Sequence, residues 1–199
     1  MWRDLGREIA FEHLVRAACA CDACPRMHGR RRVLGPGNGS IRAQTLFVAE
    51  APGRLGAERT GIPLYGDQSG KNFERLLAGA GLRRETVFVT NAVLCNPQSK
   101  SGANDKPTRA EVVECNRFLS STIEIVDPPL VIALGVSALT ALGRIEEHAL
   151  TLRADLARPA PWFGRQLAVL YHPSPRTRVF RSFEQQVEDL RCCLLAVST

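Results

Sequence analysis

Short apolar, β-branched runs alternate with amphipathic stretches along most of this chain, and that alternation constrains the fold more than any other feature. Thr45 to Ala49, Val87 to Val93, Leu130 to Leu134 and Leu167 to Tyr171 read as buried strands. Ser69 to Ala80, Pro107 to Val126, Ser137 to Leu142 and Phe183 to Val197 read as the helices that follow them. Phe73, Leu76, Leu77 and Ala80 recur at helical spacing with Gly81 just beyond as a stop, Pro107 opens the next helix, and Val187, Leu190, Leu194 and Val197 share one face. The pattern predicts an α/β fold, a three-layer αβα sandwich around a central four-stranded parallel sheet. In such folds ligands bind beyond the carboxyl ends of the strands. Three loops therefore become site candidates: Glu50 to Gly53, Asn91 to Gln98 and His172 to Arg176.

Upstream, Leu5, Ile9, Leu14 and Ala17/Ala18 give Trp2 to Ala18 the spacing of an amphipathic helix. Ser99 to Lys106 is polar and reads as a mobile surface excursion. No repeat or low-complexity linker divides the chain, so residues 1–199 are expected to form one domain with an N-terminal helix. No apolar run approaches the roughly 18 to 20 residues that span a bilayer, and no signal-peptide core follows Met1. A cytoplasmic, monomeric protein without membrane contact is the expectation.

The seven cysteines then need a role other than disulfides, because the cytosol keeps thiols reduced and a chain of 199 residues can build a core without staples. Cys21 and Cys24 stand at ligand spacing, Cys95 directly follows the second strand, and Cys115 lies on the next helix. Four thiolates from three segments can close a site for Zn or for an iron–sulfur cluster. Cys19 could replace Cys21 in that set, whereas Cys192 and Cys193 sit among Leu and Val in the last helix and read as structural. The formal net charge of +6 is carried almost wholly by Arg, since Lys71, Lys100 and Lys106 are the only lysines. Arg presents a planar fork for phosphate, which favours a polyanionic partner, met where Arg clusters at Arg30 to Arg32 beside the cysteine segment and at Arg176 to Arg181.

Cys21-x2-Cys24, Ala49-Glu50-Ala51-Pro52-Gly53, Thr90-Asn91-Ala92-Val93-Leu94-Cys95, Cys115 and His172-Pro173-Ser174-Pro175-Arg176 occur in this order. Together they resemble the iron–sulfur members of the uracil-DNA glycosylase superfamily, from about Cys21 to the closing helix. Glu50 resembles the first motif of family four, while Gly56 to Gly61 and Gly66-Asp67-Gln68-Ser69-Gly70 resemble family five, which uses an Asp at the position of Asp67. The aromatic that stacks on uracil in the family falls here at Leu64, with Tyr65 beside it as a substitute.

The resemblance implies a monofunctional glycosylase that hydrolyses the N-glycosidic bond of uracil in DNA and so initiates base excision repair. It implies a [4Fe–4S] cluster on Cys21, Cys24, Cys95 and Cys115 that takes no part in bond cleavage. Breaking this bond builds positive charge on the sugar and negative charge on the departing base, so the site needs an anion near the sugar and donors at the base oxygens. Glu50 or Asp67 supplies the anion and positions water, His172 donates to the base, and Asn91 faces the uracil edge. Ala51, Gly53, Leu64 and Tyr65 complete the expected pocket. Because the target base lies inside a duplex it must be extruded, and Pro173, Ser174, Pro175 and Arg176 are the expected wedge, with Arg178 and Arg181 on nearby phosphates. The absence of a bulky side chain at Gly53 leaves 5-substituted uracils, xanthine and hypoxanthine open as further bases. The alternatives are a protein that binds uracil-containing or abasic DNA in the same pocket without turnover, and a Zn-stapled nucleic-acid module.

Overall fold

The computed structural model describes residues 2–197. Five strands form one sheet: β1 (Thr45–Ala49), β2 (Phe88–Asn91), β3 (Leu130–Leu134), β4 (Ala160–Trp162) and β5 (Arg165–Leu170), in the spatial order β2-β1-β3-β5-β4. The pairs β1·β2, β1·β3 and β3·β5 are parallel, so the four expected strands exist and run as expected. The count of four is corrected to five, because β4 adds an antiparallel edge to β5. Pro161 argues against a strand in the sequence, yet an edge strand tolerates a residue without an N–H. Phe163 and Gly164 both take positive φ (47° and 69°), as a two-residue hairpin turn demands, and Trp162 Nε1 anchors the hairpin by donating to the Glu146 carbonyl at 2.8 Å.

Strand periodicity sorts the core into two layers. Leu46, Val48, Val131, Ala133, Leu167 and Val169 face one cluster, and Phe47, Ala49, Ile132, Leu134, Ala168 and Leu170 face the other. The first cluster is closed by α1 (Trp2–Cys19), α4 (Arg109–Val126) and α5 (Val136–Leu142), the second by α3 (Gln68–Gly79) and α6 (Phe183–Leu195). A one-turn α2 (Ala57–Thr60) lies in the loop after β1 and has no counterpart in the sequence expectation.

The buried stripe of α1 differs from the one expected. Leu5 and Ile9 are about half exposed, whereas Phe11 and Ala18 are buried, with Phe11 edge-on to Phe88 at 5.7 Å. Arg7, one turn before Phe11, donates to the Ile41 and Val126 carbonyls and so belongs to the face turned towards the body. Hydrophobicity alone could not reveal a face that an arginine shares. Among the described residues no helix is long and apolar enough to cross a membrane.

Candidate active site and cysteine centre

The strand order reverses between β1 and β3: the chain leaves β1 for β2 on one side, and β3 pairs on the other. A cleft of about 400 Å³ opens at the carboxyl edge there, walled by the residues that follow β1, β2, β3 and β5. This is the switch-point position that the parallel sheet favours for a ligand. Glu50, Ala51, Gly53, Leu64, Asp67 and His172, taken from distant parts of the chain, all line it.

His172 follows β5, and its Cβ lies near Gly135, where an added Cβ would stand 3.7 Å away. Burial pushes the imidazole pKa below its ordinary value, and the facing Glu50 and Asp67 carboxylates only partly oppose that shift. The ring is therefore neutral at pH 7, able to donate a hydrogen without carrying a charge. Its loop is pinned on two sides. Asn72 Nδ2 donates to the Pro173 carbonyl at 2.9 Å, and Thr177 Oγ1 donates to the His172 carbonyl at 2.6 Å.

The two carboxylates are not equivalent. Asp67 caps α3, with Oδ1 accepting from the Gly70 N–H at 2.9 Å, while Oδ2 packs against glycine backbone. A Cβ on Gly56 would stand 2.5 Å from that oxygen and one on Gly53 2.9 Å away. Glu50 has no hydrogen-bond donor or cation on its carboxylate among the described residues, so it is free to receive one. Leu64 holds φ at 46°, costly for a branched side chain, with its carbonyl and that of Pro63 both bound by Arg84.

Two expected base contacts stand elsewhere. Tyr65 is 45% exposed and stands outside the cleft lining. Asn91 ends β2 behind the lining, 2% exposed, with its Nδ2 buried and unpartnered among the described residues. The expected wedge is only partly exposed. Pro173 is buried, Ser174 half-buried and bonded to Thr177, and only Pro175 and Arg176 are exposed. The tip of this loop is instead Val179 and Phe180, 81% and 74% exposed. Arg181 is held by Asp189 at 2.5 and 2.8 Å, and Arg178 donates to Asn72.

The segment expected to be a mobile excursion is ordered and forms a cleft wall. Gln98 and Asn104 bridge, and the Asp105 N–H donates to the Pro97 carbonyl. Asn96, buried and unsuspected from sequence, donates to the Pro52 carbonyl at 2.6 Å and to Asn104 Oδ1 at 3.0 Å, tying this wall to the loop after β1. Its position directly after Cys95 in a strand-end loop was the available signal. Arg26 clamps the far end: it donates to both Glu111 oxygens (2.9 and 2.7 Å), to Asp105 at 2.8 Å and to the Lys106 carbonyl. Burial pushes the Glu111 carboxyl up, but the Arg26 and Thr108 bonds outweigh it and hold the pKa below the ordinary value. Arg26→Gln leaves that carboxylate buried and half-paired, with an expected cost of about 2–3 kcal/mol, read from the urea midpoint. The sign of its pH dependence follows: the stabilisation is full above the unfolded carboxylate range near 4.3 and disappears as pH falls through the depressed folded value. The difference between wild type and variant should therefore shrink below pH 4.

Cys21, Cys24, Cys95 and Cys115 line one cavity together with Arg32 and Phe118. Desolvation pushes Cys95 up to about 11 and Cys115 up to about 12, with the other thiols of the group adding to each shift. Such a set gives up its protons to a soft metal and holds them otherwise. The Leu94 N–H already points at Cys115 Sγ (3.3 Å), and Arg117 at Cys21 Sγ (3.5 Å), so charge-accepting donors surround the sulfurs. The thiols share the cavity without forming a closed single-ion ligand set among the described residues. Cys19 is exposed and outside the cavity lining, and Cys193 is buried in the α6 face of the core.

Fold and cleft together define an α/β protein with a site sized for a small polar group at the switch point of its sheet. The chain belongs to the uracil-DNA glycosylase superfamily, whose model, described as "Uracil DNA glycosylase superfamily", matches residues 36–191. It is 32% identical to a Type-4 uracil-DNA glycosylase of Thermotoga maritima over 84% of this chain and 83% of the relative. A Type-4 uracil-DNA glycosylase of Archaeoglobus fulgidus is 30% identical, covering 83% and 82%. A Type-5 uracil-DNA glycosylase of Thermus thermophilus is 32% identical, covering 82% and 86%. Similarity to both types agrees with the mixed motifs around Glu50 and Asp67.

Proposed function

We propose that this protein is a monofunctional uracil-DNA glycosylase, a cytoplasmic monomer that hydrolyses the N-glycosidic bond of uracil in DNA and opens base excision repair. The observation that carries the reading is the convergence of Glu50, Asp67 and a desolvated His172 on one cleft at the switch point. It is supported by relatives of that activity along most of the chain.

In this reading the sugar sits against Glu50, whose uncommitted carboxylate stabilises the developing cation and orients water. Asp67, already committed to α3, chiefly holds the Gly53–Gly56 turn in place and faces the same water. Neutral His172 donates to the base oxygen on which negative charge grows. The buried, unpartnered Nδ2 of Asn91 is a donor whose burial costs about 1–3 kcal/mol until a carbonyl oxygen satisfies it, and in this reading that oxygen is on the uracil edge. Ala51, Gly53 and Leu64 shape the pocket wall. Pro175 and Arg176 lead to Val179 and Phe180, an apolar tip suited to filling the gap left by the extruded nucleotide.

Cys21, Cys24, Cys95 and Cys115 would hold a [4Fe–4S] cluster. When bound it would tie the Cys21–Cys24 segment to Cys95 and Cys115 and would take no part in the cleavage. Through Arg26, two residues beyond Cys24, the same segment braces the cleft wall.

Purified protein is expected to be brown and to release free uracil from a uracil-containing oligonucleotide, leaving an abasic site that alkali cleaves. DNA left intact after alkali treatment contradicts the reading. A plateau of product equal to the enzyme concentration points instead to binding without turnover.

A further inference from the structure

Beside the cleft, sharing Glu50, Lys106, Val136 and Ser137 with it, lies a second hollow of about 270 Å³. Lys106, Arg109 and Arg144 reach its wall from three places: the end of the β2–α4 loop, the first turn of α4, and the turn after α5. Among the described residues none of these three side chains makes an ion pair or a hydrogen bond. That separates them from most of the arginines expected from sequence to meet DNA, with exposed Arg176 on the His172 loop the exception. Arg30 faces Glu58, Arg31 and Arg32 donate to backbone carbonyls, and Arg181 is paired with Asp189.

Bringing three like charges to one hollow raises the energy of the folded chain unless a polyanion shares it. The floor between them, Ala92 and Val112, offers no carboxylate to compensate, and the single one on the wall is Glu50 at the junction with the cleft. We propose that Lys106, Arg109 and Arg144 form a phosphate track that holds the DNA backbone on the side of the cleft away from the His172 loop. The extruded nucleotide is then gripped between this track and the Val179–Phe180 tip. The proposal rests on the glycosylase reading for the identity of the strand, but its residues lie outside every motif that carries that reading.

The test is equilibrium binding of the full-length, iron-loaded protein to a duplex carrying an uncleavable abasic analogue, across a salt series. Each phosphate contact contributes about 0.9 to the log–log salt slope. The triple variant Lys106→Gln, Arg109→Gln, Arg144→Gln should bind at least 30-fold more weakly in low salt, with a slope reduced by about 2 to 3. Arg109→Lys with Arg144→Lys should keep the slope, and Arg83→Gln, before the amino end of β2 and so at the opposite end of the strands from the hollow, should change neither slope nor affinity. An unchanged slope in the triple variant, with an unchanged melting temperature, overturns the track. A slope lost in the triple variant of a protein that releases no uracil keeps the track as a DNA site and removes the glycosylase reading.

Discussion

Replacing His172 by alanine is expected to slow single-turnover uracil release about 100- to 1,000-fold, the loss typical of one preorganised donor to a developing anion. The fold should survive, because the ring makes no hydrogen bond among the described residues and its loop is held by Asn72 and Thr177 through backbone carbonyls. The size of the effect follows from burial. A donor in a desolvated site works in a low dielectric and needs no reorganisation as charge builds, whereas the same group in water would offer little advantage. Burial also fixes the pH behaviour. The folded pKa lies below the unfolded value near 6.5, so between the two the unfolded chain binds a proton that the native ring does not. His172 therefore lowers stability as pH falls from 6.5 towards its folded pKa and contributes no change above 6.5. His172→Ala should flatten that part of the stability curve. An alanine variant with a wild-type rate would remove His172 from the reaction.

Cys115→Ser should have the largest effect on stability. In structural metal sites the binding free energy is folding free energy, on the order of 10 kcal/mol, comparable with the whole stability of a domain. Apart from the thiols, the segment from Cys21 to Met27 is held by a 3₁₀ turn at Pro25–Met27, the buried Met27 side chain and polar bonds of Arg26 and Arg32, with no regular element of its own. Loss of one ligand should abolish iron and acid-labile sulfide, and lower the melting temperature by 10 °C or more on the basis of about 4 °C per kcal/mol. The effect should reach the cleft, because Arg26 links that segment to Asp105 and Lys106. Cys19→Ser, outside the cavity, should retain iron and stability. Full iron in the Cys115 variant, or equal losses from both, would overturn the ligand set.

How much of this was legible in the sequence depended on whether one residue or several had to be read together. β1 and β3 are uniformly buried apolar runs, and their limits match the sequence reading. The capping box of Thr108 and Glu111 starts α4 two residues later than Pro107 suggested. The failures share a cause. β4 was hidden by Pro161, the inner face of α1 by Arg7, and the order of residues 96–106 by their polarity. In each case a tertiary partner settled what local composition argued against: a neighbouring strand, two carbonyls, Arg26. The candidate site divided in the same way. Loops after the strands led to Glu50 and His172, because strand ends converge by topology. Asn96 and the unpaired Lys106, Arg109 and Arg144 were found only through contacts and exposure in three dimensions. Charge counting likewise pointed to Arg30–Arg32, which the fold commits elsewhere.

The most direct measurement of the central claim is single-turnover release of uracil by wild type, Glu50→Gln and Asp67→Asn from one duplex oligonucleotide, with free base quantified and the abasic strand cleaved by alkali. Release by wild type, a loss of about 100-fold or more in Glu50→Gln, and a smaller kinetic loss in Asp67→Asn, whose amide oxygen still caps α3 and keeps stability near that of wild type, are the predicted results. No free uracil from the wild type, or equal rates in wild type and Glu50→Gln, would contradict the account.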